Sequence, residues 1–385
     1  AAPLPVGAAS SGADAYAPPP SAGLDASSGG APDGPAPTLV RGDASSQVPD
    51  ATPALDGSSP APDDARASDD AVVQAAPVDA GPIRSIQSGV TWLDDKGNPV
   101  NAHGGGVVRE GDRFYFYGES FSGGTNTFKA FAMYSSPDLM NWTFERNILT
   151  TQTSGPLGPN RVGERPHILK CPATGEYILV AHAADPTYQV DKEVVFATSP
   201  TINGQYMFAG ILANAVGAPI NHSDIGAYQD ATAGYVVTEG GASYKMTPDC
   251  HGWTTVSQAA AFSGTESPTV FAIGSTHYWL WSHKTGWTSN DNEYGVAPTM
   301  DGPWVGQGLL APAGQTTWNS QRTFVLPVTG TSGTTYVYGG DRWNARDNSK
   351  ATYVWQPLVV TNSALSMPTY YPSWTIDVAR GAWSC

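Results

Sequence analysis

The stretch Glu266-Ser-Pro-Thr-Val-Phe, followed twelve residues later by Tyr278-Trp-Leu-Trp, shows the pattern that decides the fold of this chain. A polar residue opens a short apolar run, and a turn then leads into an aromatic run. The pattern occurs five times, with the second run 11 to 15 residues after the first. The other four pairs of runs begin at His103 and Phe114, Glu164 and Tyr177, Asp224 and Tyr235, and Gln321 and Tyr336. Short apolar runs separated by turns predict β-strands.

A third feature repeats after four of the aromatic runs. It is a Pro-containing turn that precedes another aromatic residue, at Ser136-Pro-Asp, Ser199-Pro-Thr, Thr247-Pro-Asp and Ala297-Pro-Thr. One unit therefore contains four strands, and no long stretch shows helical periodicity. Four antiparallel strands at a period of about fifty residues are typical of a propeller blade, so we expect an all-β, five-bladed β-propeller. A β-sandwich is the alternative, but it does not predict a fivefold repeat.

Composition divides the 385-residue chain into two parts. Residues 1–85 are rich in Ala, Pro, Ser, Gly and Asp, with one aromatic residue and with eleven Asp against three Arg. Such a segment cannot bury enough apolar surface to offset the loss of chain entropy. We therefore expect a disordered linker over residues 1–85 and the propeller over residues 86–385, which contain all twelve Trp.

The charge and the cysteines limit the partners and the location. A net charge of −15 argues against nucleic acid as a partner, and no apolar run has the length of a membrane span. An acidic linker ahead of a Trp-rich domain suggests a secreted or surface-tethered protein, and we expect a monomer. Cys171, Cys250 and Cys385 allow one disulfide and one free thiol, or three unpaired thiols.

The fivefold repeat also predicts a site. In a propeller the first strand of each blade runs along the central channel, so the polar residue that opens it lies at one mouth. His103, Glu164, Asp224, Glu266 and Gln321 would therefore ring one opening. Carboxylates buried near one another cannot all ionise easily, so at least one pKa should rise, as a glycosidase requires. Polar residues that only line a wet channel fit the repeat alone equally well.

Further residues at the same end form a set suited to sugars. Glu119 ends the aromatic strand of the first unit, and Asp341, Trp343 and Asn344 hold the matching position in the fifth. Trp287 follows the fourth aromatic strand. Carboxylates and amides bind hydroxyl groups and indole faces cover the apolar side of a pyranose, although packing between blades is the commoner use of a Trp.

Two other features argue against cofactor chemistry. The glycines at 104–106 lack the Lys and the helix of a phosphate-binding loop, and instead predict close backbone packing. The seven His show no metal-ligand spacing, so we expect no metal and no cofactor. His103 remains a candidate for contact with a ligand.

Taken in order, the motifs resemble those of glycoside hydrolase family 43, and within it the exo-β-1,3-galactanase branch. The resemblance covers roughly residues 86–382. Its motifs are Asn101-Ala-His-Gly-Gly-Gly, Phe116-Tyr-Gly-Glu119, Glu164-Arg-Pro, Ser223-Asp224, Glu266-Ser-Pro, Thr285-Gly-Trp287, Ser320-Gln321-Arg-Thr and Gly340-Asp341-Arg-Trp-Asn344.

The resemblance implies an inverting mechanism. Glu266 would be the general acid, Asp224 would tune its pKa and orient it, and Gln321 would place the attacking water. Inverting chemistry then implies roughly 6.5 to 9.5 Å between Glu266 and Gln321. The first unit lacks the Asp that serves most of the family as base, as the galactanase branch also does. Asp230 is the alternative to Asp224.

The remaining roles implied by the resemblance concern the sugar. Glu164 and Glu119 would hold its hydroxyl groups, and Asp341, Trp343 and Asn344 would help to line the pocket. We therefore expect a secreted inverting hydrolase that releases galactose from the non-reducing end of β-1,3-galactan, the backbone of plant arabinogalactan side chains. Two alternatives stay open: the same fold acting on arabinofuranosides or xylosides, and a propeller that binds sugar without cleaving it.

Overall fold

The computed structural model describes residues 82–121, 127–259 and 262–385, so nearly all of the expected linker over residues 1–85 lies outside the described residues. The described chain is all-β, as predicted. Its first strand is β1 (Ile86–Gln87). Short helical turns cover Glu239–Gly241, Thr316–Asn319 and Asn348–Lys350. No described helix is long and apolar enough to cross a membrane.

Five four-stranded antiparallel sheets follow one another along the chain, with strands paired in chain order. The first two sheets comprise β2 (His103–Glu110), β3 (Arg113–Ser120), β4 (Ala130–Ser136) and β5 (Thr143–Thr150), and β6 (Val162–Lys170), β7 (Tyr177–Ala184), β8 (Lys192–Ser199) and β9 (Met207–Ile211). The third and fourth comprise β10 (Ile225–Gln229), β11 (Gly234–Thr238), β12 (Ala242–Met246) and β13 (Trp253–Gln258), and β14 (Thr265–Ile273), β15 (Thr276–His283), β16 (Glu293–Ala297) and β17 (Val305–Leu309). The fifth comprises β18 (Gln321–Gly330), β19 (Gly333–Arg342), β20 (Thr352–Thr361) and β21 (Ala364–Ser366).

The first strands of these sheets contact one another in a closed cycle. β2 contacts β6, β6 contacts β10, β10 contacts β14, β14 contacts β18, and β18 contacts β2. An apolar cluster fills the space between each sheet and the next. Between the first and fifth sheets, Phe116, Trp142 and Phe324 surround Trp355, with ring centroids 5.1 to 6.0 Å from its own. The arrangement is propeller-like, because the inner strands share one centre.

The sequence pattern located the inner strands and missed a sixth sheet. The five opening polar residues lie within two positions of the observed starts of β2, β6, β10, β14 and β18. The additional sheet joins β1 to β22 (Ser373–Asp377) and β23 (Ala382–Ser384), with Ile86 paired to Trp374. Residues 86–385 therefore contain more than the repeated four-strand units.

The glycines of β2 permit a close backbone approach, as predicted. A Cβ on Gly105 would lie 2.0 Å from the carbonyl oxygen of Tyr117, and a Cβ on Gly118 would lie 2.3 Å from the carbonyl carbon of Ala102. Atoms do not approach this closely without displacement. The glycines therefore let β2 and β3 come together at the end where Glu119 lies.

One disulfide joins the second and third sheets. Cys171, just after β6, is bonded to Cys250 in the turn between β12 and β13. Cys385 is free and exposed. Of the two arrangements that the sequence left open, the structure has one disulfide and one free thiol.

Candidate active site

A cavity of about 300 Å³ opens where the inner strands begin. Seven of the predicted site residues line it: Glu119, Glu164, Asp224, Glu266, Trp287, Gln321 and Trp343. They lie on, or directly beside, all five four-stranded sheets. Because each sheet contributes through the start of its first strand or the end of its second, residues far apart in the chain meet in one hollow.

Three predicted residues do not line the cavity. His103 and Asp341 are 1% and 2% exposed, and His103 Nδ1 lies 2.8 Å from Asp341 Oδ1. Asp341 Oδ2 accepts the backbone N–H of Gly104 at 2.7 Å, so this pair holds the β2 backbone. The backbone N–H of Asn344 donates to Asn348. Asp224 lines the cavity and Asp230, the alternative to it, does not; Asp230 accepts the backbone N–H of Ala233 in the turn after β10.

A β-bulge brings two consecutive residues of β6 into the cavity. Successive side chains of a regular strand point to opposite faces. The register of β6 shifts between Glu164 and His167, and Arg165 has φ +52°. Bulges of this kind redirect side chains beside active sites. Glu164 and Arg165 therefore both face the cavity.

Arg165 is the central cation of the site, and the sequence analysis missed it. Its Nη2 lies 2.6 Å from Gln321 Oε1 and 3.1 Å from Asp224 Oδ2. Its guanidinium carbon lies 5.6 Å from the Trp343 ring centroid, and its backbone N–H donates to Glu119 at 2.9 Å. Arg165 thus contacts four other residues of the cavity wall, three through its side chain and Glu119 through its backbone N–H.

The Gln321 amide contacts Glu266 directly. Its Nε2 donates to Glu266 Oε1 at 2.9 Å. The expected separation of roughly 6.5 to 9.5 Å between these groups is therefore wrong for this structure. The reason is that Arg165 and Trp343 both donate to the other end of the amide and turn its nitrogen towards the acid.

Glu266 has the electrostatics of a general acid. Burial raises the pKa of its carboxyl to about 7, and the negative charge of Asp224 acts in the same direction. The cations of Arg165, Lys284 and Arg322 oppose this rise in pKa without cancelling it. The predicted rise of at least one carboxyl pKa is confirmed, and Glu266 is half protonated near neutral pH.

The pKa values of Glu119 and Glu164 are shifted in opposite directions. Burial and the charge of Glu164 raise the pKa of Glu119 well above its usual value. Burial also acts to raise the pKa of Glu164, but His182, the Tyr188 hydroxyl and Arg165 outweigh it and lower that pKa. Tyr188 donates to Glu164 Oε1 at 2.5 Å. The cavity therefore holds two carboxyls whose pKa values are shifted in opposite directions.

The chain is similar to several solved structures, although no family model and no curated protein matches it. An exo-β-1,3-galactanase from Phanerochaete chrysosporium, solved with β-1,3-galactotriose, shows 28% identity and a TM-score of 0.71 over 78% of this chain and 70% of that one. An exo-β-1,3-galactanase from Clostridium thermocellum shows 29% identity and a TM-score of 0.70 over 78% and 68% of the two chains. A β-1,3-galactosidase described as GH43 shows 26% identity and a TM-score of 0.68 over 76% and 64%. The resemblance to glycoside hydrolase family 43 is confirmed.

Besides Arg165, three residues of the cavity were missed from sequence. Tyr188, Ser223 and Glu239 line the cavity. Glu239 accepts the backbone N–H of Ser223 at 3.0 Å and is paired with the Lys284 ammonium. Each is a single polar residue in or beside a loop, and its partners are remote in the chain. Arg165 and Ser223 do lie in two of the motifs that carry the resemblance, Glu164-Arg-Pro and Ser223-Asp224. Tyr188 and Glu239 lie in none of those motifs.

The described residues hold no cluster of side chains that could bind a metal ion. Within residues 82–121, 127–259 and 262–385, no group of three or more His, Cys, Asp or Glu side chains is placed to hold an ion. The carboxyl groups of the cavity are instead bound to Arg165, Tyr188, Gln321 and Lys284. The groups available for chemistry there are carboxyls, amides, hydroxyls and cationic side chains.

Proposed function

We propose that this chain is an inverting glycoside hydrolase that releases galactose from the non-reducing end of β-1,3-galactan. The observation that carries the proposal is Glu266, a carboxyl with a pKa raised to about 7 in a cavity that also holds the ionised Glu164. Its solved relatives include exo-β-1,3-galactanases, one of them with galactose and with β-1,3-galactotriose.

In this proposal Glu266 is the general acid. It gives its proton to the glycosidic oxygen while the bond from that oxygen to the anomeric carbon breaks, and the bonding electrons stay on the oxygen. A water molecule forms the new bond to the anomeric carbon from the opposite face and releases a proton. We assign that proton to Glu164, because its neighbours keep it ionised. Asp224 raises the pKa of the acid, and Gln321 orients it.

The cavity walls suit a single terminal sugar. A volume of about 300 Å³ is at the small end of ligand pockets, which favours removal of one unit at a time. Trp287 and Trp343 meet edge to face with centroids 5.2 Å apart and give the cavity flat apolar surfaces. The raised pKa of Glu119 favours its protonated form, which can donate a hydrogen bond to a sugar hydroxyl, and we assign His103, Asp341 and Asn344 to supporting this wall.

The test is incubation with linear β-1,3-galactooligosaccharides, with products separated by chromatography and the anomer formed first identified by NMR. We expect galactose as the product, initially as the α-anomer because inversion converts the β-linkage. Glu266→Gln is the control. If no galactose is released above that control, the proposal is ruled out. Activity on aryl arabinofuranosides or xylosides alone would show that the proposed substrate is wrong.

We further infer that the five four-stranded sheets are the blades of a five-bladed propeller, with the three-stranded sheet as an addition. Two observations support this: the closed cycle of contacts among the inner strands, and the five apolar clusters that lie between neighbouring sheets. Small-angle scattering compared with curves for five and for six blades tests it. A curve that requires six blades would refute it.

We also propose that the protein is secreted or tethered at a cell surface, where it acts as a monomer on plant cell-wall arabinogalactan. The Cys171–Cys250 disulfide supports an oxidising location. Thiol titration of protein from its native host should find one reactive thiol, that of Cys385. Three thiols would point to a reducing compartment, and light scattering tests the monomer.

A further inference from the structure

The side-chain amide of Gln321 uses all of its hydrogen-bonding positions. Its oxygen accepts from Arg165 Nη2 at 2.6 Å and from Trp343 Nε1 at 2.8 Å. Its nitrogen donates to Glu266 Oε1 at 2.9 Å and to Ser282 Oγ at 3.1 Å. A primary amide has two acceptor positions and two N–H donors, so none is left over. Gln321 is 6% exposed, and solvent therefore has little access to this group.

The chemistry of Arg165 and Trp343 fixes the direction of this amide. A guanidinium group and an indole N–H can only donate hydrogen bonds. If the amide were turned over, its NH2 group would face both donors. The Trp343 N–H would then lose its acceptor and Arg165 Nη2 would keep only Asp224, which is unfavourable. The N–H groups of Gln321 must therefore point to Glu266.

We propose that Arg165 and Trp343 are positioning residues that act through Gln321 to keep the acidic proton of Glu266 on Oε2. The inference rests on the proposed role of Glu266 as general acid. In a carboxylic acid the carbonyl oxygen is the better acceptor, so the oxygen that receives the Gln321 N–H, Oε1, is the carbonyl oxygen and Oε2 is the hydroxyl. No described residue is hydrogen-bonded to Oε2, which leaves its proton for the glycosidic oxygen.

Charged groups from four other elements face Glu266. Asp224, before β10, favours its protonated form, whereas Arg165 on β6, Lys284 after β15 and Arg322 on β18 favour its charged form. The N–H of the neighbouring amide also favours the charged form. Turning that amide over would present an oxygen instead, stabilise the protonated form and draw the proton onto Oε1, away from the leaving group.

The test is Trp343→Phe, which keeps an aromatic ring in the cavity and removes the indole N–H. With β-1,3-galactobiose we expect kcat to fall about tenfold. The high-pH limb of kcat/KM should move to higher pH. With a series of aryl β-galactosides, the loss should shrink as the leaving group improves, because a good leaving group needs little protonation. Glu266→Gln should show the same dependence on the leaving group.

The matched control is Trp287→Phe. Trp287 lines the same cavity and contacts the Trp343 ring, but the Gln321 oxygen accepts its two bonds from Arg165 and Trp343. Trp287→Phe should therefore lower the rate on all substrates alike and leave the high-pH limb in place.

Three outcomes are decisive. An equal loss on every substrate by Trp343→Phe, with an unmoved high-pH limb, would overturn the inference and leave the proposed function intact. In a Gln321→Ala background, Trp343→Phe should add little to the leaving-group dependence, and full additivity would also overturn it. Failure of the wild-type enzyme to release galactose from the disaccharide would instead refute the proposed function, and the inference with it.

Discussion

The guanidinium of Arg165 lies 3.1 Å from the carboxylate of Asp224, and their side chains are 8% and 15% exposed. This ion pair sits between the second and third sheets, at the wall of the cavity. It holds a negative charge beside Glu266, where that charge raises the pKa of the acid. The two partners act on Glu266 in opposite directions, because the Arg165 cation lowers the pKa that the Asp224 charge raises.

The pH dependence of activity should show a loss of rate as pH rises through about 7. Glu266 must carry a proton to act, and its pKa is raised to about 7. The measurement is kcat/KM for β-1,3-galactobiose between about pH 4 and pH 9. A rate that stays constant across neutral pH would show that Glu266 is not the acid.

Glu266→Gln should stabilise the protein at high pH relative to the wild type. The folded pKa of Glu266 is raised from 4.5 to about 7, so its contribution to stability is fully present below pH 4.5 and is lost as pH rises through 7. The amide cannot ionise, so the variant escapes this loss. Thermal unfolding at several pH values checks it, and a difference in Tm that does not change between pH 4.5 and pH 8 would contradict it.

Gly104→Ala should be more damaging than Gly111→Ala. Both glycines have nearly the same positive φ, +62° and +63°, so the backbone strain is about 1 to 2 kcal/mol in each. A Cβ on Gly104 would lie 2.2 Å from Glu119 Oε1, whereas nothing lies within 4 Å of one on Gly111. We expect a further loss of about 1 to 3 kcal/mol and a higher KM for Gly104→Ala.

Denaturant unfolding of both variants and their kinetics provide the measurement. Because the two glycines share the strained backbone, the difference between the variants isolates the collision with Glu119. Equal losses of stability and unchanged KM would mean that Glu119 moves aside freely.

Arg165→Met should destabilise the protein by about 3 kcal/mol. It should also move the high-pH limb of the activity profile to higher pH. Removing one partner of a buried ion pair leaves the other uncompensated. The pKa of Glu266 should rise because Arg165 acts to lower it. Urea unfolding and the pH profile of kcat/KM test both effects.

Arg161→Met is the control for this variant. Arg161 pairs with Asp191 at 2.6 Å, but the side chains are 20% and 34% exposed. A partly exposed pair is closer to the surface case, in which a pair contributes about 1 kcal/mol or less, so this variant should lose less stability than Arg165→Met and keep its pH profile. Similar losses from both arginines would argue against a special role for Arg165.

Much of the fold could be predicted from sequence because its signals are local. Apolar alternation and turn residues mark strands whatever surrounds them, and their fivefold repetition predicted where β2, β6, β10, β14 and β18 begin. The convergence of Glu164, Asp224, Glu266 and Gln321 followed, because equivalent positions of equivalent inner strands lie at the same end of a channel.

The sequence by itself therefore determined the strand pattern, its repetition and the set of carboxyls at one opening. The tertiary structure decided what those carboxyls do. It placed Arg165 against Asp224 and Gln321, turned His103 towards Asp341, and paired the two ends of the domain in a sixth sheet. These contacts join residues far apart in the chain, and a bulge rather than strand alternation directs Arg165. The periodicity of the sequence does not predict such contacts, because packing and charge in three dimensions determine them.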